Sequence, residues 1–409
     1  AYAMHDFILR EIKDTDIEKE INAIGFDKSY SHKAKEKFEY KNIKIYSLTP
    51  AMANILKQTA LSVGCDCATH REVITGKIEN SNCILGGSVS QIKKIAEKLK
   101  FQPFGLKELG KKLEKISHSE AINRRFFANA QNDVAEESQH STLLHNFANR
   151  RGTKLVGILN LTTNSSSDGG MYNDFEKAKE HLLELISDGA DIIDIGAEST
   201  KPYSSPVSPK EQLEKLLPII DFAKNKTTIS IDTRSAIVAE ECINAGANII
   251  NDVSGFDYDE KMVDVIAKHN IPIIIQHSQG TPETMQNSPH YNNLIEDIFL
   301  ILKKKIDFAH SKNIENIIID PGIGFGKTKE DNFEIIKRIE EFQSLNCPIM
   351  LGISRKSLLD MPNADNLAKD IYTTAINALA IERNVDYIRV HNIKMHRKLI
   401  DLMDMFVIK

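Results

Sequence analysis

Asn316-Ile-Ile-Ile-Asp320 is a run of β-branched residues closed by an acid, and its form recurs throughout residues 154 to 391. The others are Lys154-Leu-Val-Gly-Ile-Leu-Asn160, Asp191-Ile-Ile-Asp194-Ile-Gly-Ala-Glu198, Thr228-Ile-Ser-Ile-Asp232 and Asn248-Ile-Ile-Asn251-Asp252. Pro272-Ile-Ile-Ile-Gln-His277, Pro348-Ile-Met-Leu-Gly-Ile-Ser-Arg-Lys356 and Tyr387-Ile-Arg389-Val-His391 complete the set of eight. A strand buried on both faces of a parallel sheet reads as such a run. A (β/α)8 barrel places its site at the C-terminal ends of its strands. Each run here ends in a residue able to bind or catalyse, so fold and site come from one pattern. The expected fold class is α/β: a (β/α)8 TIM barrel over 151–409, preceded by a smaller mixed α/β domain.

Between the runs lie amphipathic stretches with readable ends. Asn173-Asp174 is expected to cap a helix with Phe175, Ala178, Leu182 and Leu185 on one face, stopped by Gly189. Gly246 plays the same part after 236–244, and Ile393 to Phe406 reads as the closing helix. The chain of 409 residues exceeds one typical domain. Residues 4–116 form the expected smaller unit. It has a strand at Lys44–Leu48 and a helix from Thr49-Pro50, where Thr caps and Pro sits in the first turn. A second strand at Asn82–Leu85 is followed by a Gly86-Gly87-Ser88 turn, a helix Val89–Leu99 and a basic helix around Lys107–Lys115. Residues 117–150 are polar and read as a linker or helical connection, and Ala1-Tyr2-Ala3 ahead of Met4 as a cloning remnant.

A net charge of −5 gives no support for nucleic-acid or membrane binding. Five irregularly spaced cysteines fit reduced thiols in a cytoplasmic protein rather than a disulfide scaffold. No stretch has the apolar length of a membrane span. Cys65-Asp-Cys67-Ala-Thr-His70 lacks a four-ligand set, so no metal is expected there.

The chemistry is expected at the barrel mouth. The loop from Asn160 to Asp168-Gly-Gly170 is rich in small polar residues and suited to closing over substrate. The Asn160 amide oxygen is a plausible ligand for Mg2+, a hard cation that needs few protein groups when it also bridges phosphate oxygens. Asp194 reads either as a paired structural acid or as part of the site. Asp232, Asn251 and Asp320 close three strands and should converge. Buried carboxylates need donors, and a flat heterocycle with a ring N–H beside an exocyclic amine offers two in parallel, as Arg does. The glycines of Asp320-Pro-Gly-Ile-Gly-Phe325-Gly-Lys327 let backbone pass close to such a ring, with Phe325 packing on it. Arg389 and His391, two apart on one strand, face one side. With Lys356 they make a cationic cluster suited to pyrophosphate. Thr200, Lys201 and Pro202 form a second donor-rich edge.

In this order the motifs resemble the dihydropteroate synthase family over Lys154 to His391. The segments are Gly157-Ile-Leu-Asn160, Asp194-Ile-Gly-Ala-Glu-Ser-Thr-Lys-Pro202, Ser230-Ile-Asp232-Thr, Ile250-Asn251-Asp-Val-Ser-Gly255, Gln279-Gly-Thr-Pro, Asp320 to Lys327, Gly352-Ile-Ser-Arg-Lys356-Ser357 and Arg389-Val-His391. The resemblance implies a transferase of folate biosynthesis. It would condense 6-hydroxymethyl-7,8-dihydropterin pyrophosphate with p-aminobenzoate, giving 7,8-dihydropteroate and pyrophosphate. It also implies that Asp232, Asn251, Asp320 and Lys356 hold the pterin. Arg389 and His391, with Asn160 through Mg2+, would hold pyrophosphate. Ser357 and the Thr200–Pro202 loop would help bind p-aminobenzoate. Family members are commonly homodimers and are the sulfonamide target.

The chain departs from the family at Thr162 to Ser167, where Thr-Pro-Asp-Ser-Phe-Ser is usual, and at Lys201, where Arg is usual. Gln276 and Ser278 stand where Met is usual, and Asn392 where Asp is. Two other readings compete: a pterin-dependent methyltransferase, which leaves Lys356, Arg389 and His391 unexplained, and a silent pterin-binding homologue supported by the altered first loop.

Overall fold

A computed structural model describes residues 17–27, 29–117, 152–161, 168–199, 206–280, 289–362 and 364–407. The chain divides into two compact units, 1–122 and 123–409. The expected 117–150 connection lies, apart from its first residue, outside the described residues.

In the N-terminal unit β1 (Tyr40–Leu48), β2 (Asp66–Ala68) and β3 (Ser81–Ser88) form an antiparallel sheet in the order β1-β3-β2. Helices Pro50–Leu61, Val89–Leu99 and Leu106–Ser117 bury Leu56, Ile92, Leu99 and Leu113 in its core. Thr49 caps the first of them, accepting the Met52 N–H at 3.3 Å. Gly86 and Gly87 correct the expected turn: both lie inside β3. A Cβ on Gly86 would come within 2.7 Å of the Tyr40 hydroxyl, and one on Gly87 within 2.4 Å of Cys65 Sγ. Close packing, not a turn, therefore calls for glycine there. Ser88 then caps the following helix in a capping box with Gln91. His70 Nδ1 accepts the Glu72 N–H and caps a short 3-10 turn. All five cysteines are free thiols.

The second unit holds eight parallel strands: β4 (Lys154–Asn160), β5 (Ile192–Gly196), β6 (Thr228–Asp232), β7 (Ile249–Asp252), β8 (Ile273–Gln276), β9 (Ile317–Asp320), β10 (Met350–Leu351) and β11 (Tyr387–Val390). Their order is β10-β11-β4-β5-β6-β7-β8-β9. A parallel bridge between Ile319 and Ile349 joins β9 to β10 and closes the barrel. Ile193, Ile231, Ile250, Ile275 and Ile319 face the surrounding helices in the main core. Val156, Ile192, Ile249, Ile274, Ile318 and Tyr387 fill the interior as a separate layer. Strand alternation then fixes what lies above that layer. The next inward positions are Asp194, Ser230, Asn251, Gln276, Asp320 and Arg389.

The first barrel helix spans Asp168–Ser187, so Asn173-Asp174 lies inside it and does not cap it. Each of the two glycines near its start costs about 1 kcal/mol relative to Ala. Burial of Ala178, Leu182 and Leu185 along one face offsets that cost. Gly246 ends the Ala236–Ala245 helix with φ 121°, and the closing helix runs Ile393–Val407. Among the described residues no helix is long and apolar enough to cross a membrane.

Candidate active site at the barrel mouth

Register brings the predicted residues together. Asp232 pairs with Asn251 across β6 and β7, and Gln276 pairs with Asp320 across β8 and β9. All four are buried. Arg389 reaches from β11 across the barrel: its Nε donates to Asp194 Oδ2 at 2.6 Å and its Nη2 to Asp232 Oδ2 at 3.1 Å. Asn251 Nδ2 donates to the same Asp194 oxygen at 3.1 Å. Asp194 is thus a structural acid, but one that seats a site residue.

The electrostatics of this group follow from burial. The Asp232 carboxyl is pushed up to about 7, first by loss of water and then by Asp194, against the pull of Arg389. Asp320 is also raised by burial, although Lys356 and the Gly322 N–H, which donates to its Oδ1 at 2.7 Å, oppose this. Burial alone would lower Arg389, but Asp194 and Asp232 hold it above its ordinary range. Lys356 donates to the Ile323 carbonyl at 2.5 Å, with its Nζ 4.8 Å from the centre of the Phe325 ring. Burial lowers it to about 8, and Asp320 pulls the other way.

The expected triple cationic cluster needs correction. Lys356 and Arg389 both approach Gly352, whose Cβ would lie 3.9 Å from Lys356 Nζ and 3.7 Å from Arg389 Cβ. His391, however, is lowered to about 4, by burial and then by Arg355 and Arg389. It is neutral near pH 7, its Nδ1 2.9 Å from Ser354 Oγ. Arg355, at φ 57°, makes a bidentate pair with Asp370 at 2.9 Å, and Asn392 donates to the same acid at 3.1 Å. This ties the loop carrying Lys356 to the residue after His391.

Asn160 ends β4 with its side chain exposed at the mouth, and Ser357 is exposed in a 3-10 turn, Ser357–Leu359. Thr200, Lys201 and Pro202, and the first loop from Thr162 to Ser167, lie outside the described residues. Phe325 is buried against Val253 and borders a cleft of about 160 Å³ shared with Arg234, Tyr258 and Ser278. Arg234 is held by Glu198 through two bonds of 3.1 Å and packs 4.1 Å from the centre of the Tyr258 ring. A larger groove, about 610 Å³, lies in the N-terminal unit between Asn54, Gln58, Lys98 and Phe101. It gathers no set of acids, bases or nucleophiles, whereas the barrel mouth does.

Sequence reasoning missed the pair behind Asp320. Lys327 is buried, 2.9 Å from His277 Nδ1, and donates to the Phe325 carbonyl at 2.9 Å. Burial lowers Lys327 to about 7 and His277 to about 2, so a neutral imidazole lies beside an amine that is only partly protonated at pH 7. The only available signal was that His277 follows a strand end as the other site residues do.

A family model described as pterin binding enzyme matches residues 156–391. The chain is 42% identical over 263 residues to a dihydropteroate synthase of Clostridium beijerinckii, covering 62% of this chain and 94% of that protein. It is 33% identical over 347 residues to a probable bifunctional folylpolyglutamate synthase/dihydropteroate synthase of Haloferax volcanii, covering 83% of this chain and 40% of that one. That match is longer than the whole of 123–409 and so runs into the N-terminal unit. Among solved structures, a Yersinia pestis dihydropteroate synthase with a sulfonamide drug superposes with a TM-score of 0.59 at 32% identity, over 62% of this chain and 94% of the other. A Xanthomonas albilineans dihydropteroate synthase with 4-aminobenzoic acid gives 0.58 at 29%, over 63% and 93%.

Proposed function

The chain belongs to the pterin binding enzyme family, and on that premise we propose how its barrel mouth divides the substrates of a dihydropteroate synthase. Its reaction joins 6-hydroxymethyl-7,8-dihydropterin pyrophosphate to p-aminobenzoate and yields 7,8-dihydropteroate and pyrophosphate. One observation carries the placement of the ring. Asp232 Oδ1 and Asn251 Oδ1 are buried acceptors without a partner, on neighbouring strands. Unpartnered buried acceptors are costly, and the N–H groups of a pterin edge would satisfy them. Asp320 would take the amidine-like edge, Phe325 would pack on the ring, and Lys356 would donate to it.

The bond that breaks joins the pterin methylene carbon to the pyrophosphate oxygen, and the bond that forms joins that carbon to the amine nitrogen, which then loses a proton. Charge grows on the leaving group, so fixed cations and donors are the main catalytic contribution. Arg389 and His391 would hold pyrophosphate, the former already charged in its two-acid seat and the latter as a neutral donor. Lys356 brings its ammonium to the same region. Ser357, with Thr200, Lys201 and Pro202, would receive p-aminobenzoate.

The mouth fits Mg2+ only as an ion that also binds substrate. Asn160 offers one exposed neutral oxygen, and among the described residues no group of three His, Cys, Asp or Glu could hold a metal. A hard cation bound through few protein groups completes its shell with phosphate oxygens and water. When bound, Mg2+ would neutralise pyrophosphate charge. Two copies of the chain would form the working homodimer, and the cytoplasm is the proposed location.

The test is pyrophosphate release from the pterin pyrophosphate, with and without p-aminobenzoate and Mg2+, on wild type and Lys356→Ala. Release that depends on p-aminobenzoate, yields dihydropteroate and is lost in the variant supports the reading. Absence of turnover in the wild type rejects it.

A further inference from the structure

Gln276 differs from the other inward residues of the mouth. It closes β8, two positions beyond Ile274 of the interior apolar layer, and lies directly opposite Asp320 on β9. Its side chain is buried at 4% exposure, and Nε2 has no hydrogen-bond partner. Partnerless atoms stand on four consecutive strands: Asp194 Oδ1 on β5, Ser230 Oγ and Asp232 Oδ1 on β6, Asn251 Oδ1 on β7 and a donor, Gln276 Nε2, on β8. A buried amide N–H left unmade lowers the stability of the free protein. A hydrocarbon side chain of similar length would fill the same space without that cost. A ligand acceptor entering the pocket would supply the partner that the fold does not.

A ligand that satisfied the acceptors alone would need only N–H groups. The added donor asks for a ring presenting an acceptor next to N–H, which is the pattern of a pterin edge, where ring nitrogens and a carbonyl flank the amidine group. Resting on the ring-binding reading above, we propose that Gln276 is a substrate-binding residue of this pocket. Its amide N–H donates to an acceptor, nitrogen or carbonyl, on the edge that Asp320 reads. Gln276 thereby sets specificity: a heterocycle with C–H or N–H at that place leaves Nε2 unpartnered or opposes it.

Gln276→Met keeps the length and removes the amide. Binding of free 6-hydroxymethylpterin, measured by calorimetry, should weaken about tenfold, the value of one hydrogen bond with a buried partner. KM for p-aminobenzoate should stay unchanged, and the Tm of the free variant should rise by about 2–4 °C as the unmade donor disappears. A purely structural glutamine gives the opposite pattern: lower Tm and equal damage to both substrates. Either that pattern or undiminished pterin affinity would overturn the proposal. If the variant fails to fold, a crystal structure of the wild type with 6-hydroxymethylpterin decides. Nε2 within about 3.2 Å of a ring acceptor is the expected result, and its absence from hydrogen-bond range is the refuting one. A wild type that releases no pyrophosphate fails the ring-binding reading itself. Turnover without the Gln276 effect fails this inference alone.

Discussion

Binding of the pterin ring should depend on pH through Asp232, with a sign that the geometry fixes. In the free protein this carboxyl is raised to about 7 by burial and by Asp194, so below pH 7 the folded protein carries a proton there. A ring that donates N–H to Asp232 needs the ionised form, so binding at lower pH must expel that proton. Each pH unit below 7 then costs about tenfold in affinity, or about 1.4 kcal/mol. Between pH 5 and pH 7 the ceiling is about a fiftyfold gain, because at pH 7 half of the carboxyl is already ionised. Calorimetric titration of 6-hydroxymethylpterin at pH 5, 6 and 7, in buffers of different ionisation enthalpy, reads both Kd and protons released. About one proton should leave at pH 6. Asp320 is raised as well, so Asp232→Asn is the control: its affinity should change much less between pH 5 and pH 7. A wild-type Kd that is flat or weakens from pH 5 to pH 7 would refute the reasoning, and so would an undiminished slope in Asp232→Asn.

The same carboxyl makes a stability prediction. Because its folded value lies above its unfolded value of 3.8, its contribution is present below about pH 4 and lost as pH rises through 7. In urea unfolding, wild type should lose no more than about 4 kcal/mol relative to Asp232→Asn as pH rises over that range, the two being most alike near pH 4. Lys356 is lowered to about 8, so kcat/KM should fall as pH rises through 8. Lys356→Arg should retain its charge beyond that limb while losing rate through its different shape, checked by a pH–rate profile. Gly322, at φ 74°, would place a Cβ 1.8 Å from the His277 carbonyl oxygen. Gly322→Ala should therefore lower Tm by several degrees and weaken pterin binding with it, because the same residue donates to Asp320; an unchanged Tm would show that the loop adapts.

What the sequence made legible and what it hid divide along a physical line. A parallel strand is buried on both faces, so its β-branched run announces itself, and its last polar residue must lie at the mouth. Asp232, Asn251 and Asp320 could be placed from that alone. Lys44–Leu48 captured only part of β1, whose earlier half alternates exposed and half-buried residues. The Asp66–Ala68 strand, at three residues, is too short to show a period. The partners of Arg389 were hidden for another reason. Asp194 lies 195 residues away and Asp232 lies 157 away, and no local pattern encodes a contact at that separation. The neutrality of His391 was hidden likewise, since burial and the charges of Arg355 and Arg389 decide it.

The three long-range features together explain why the free mouth takes the form it does. An arginine would be costly if buried alone, and two buried carboxylates would repel each other. Seating Arg389 between Asp194 and Asp232 satisfies one oxygen of each acid and keeps the guanidinium charged. It also leaves Asp194 Oδ1 and Asp232 Oδ1 without partners. Those atoms, with Ser230 Oγ, Asn251 Oδ1 and Gln276 Nε2, form a cluster of unsatisfied atoms on β5 to β8. In a purely structural core, apolar residues would fill that space at lower cost. On the proposed placement of the ring these residual donors and acceptors are what it would complete, and the pH dependence of binding through Asp232 would measure how much of that completion depends on charge.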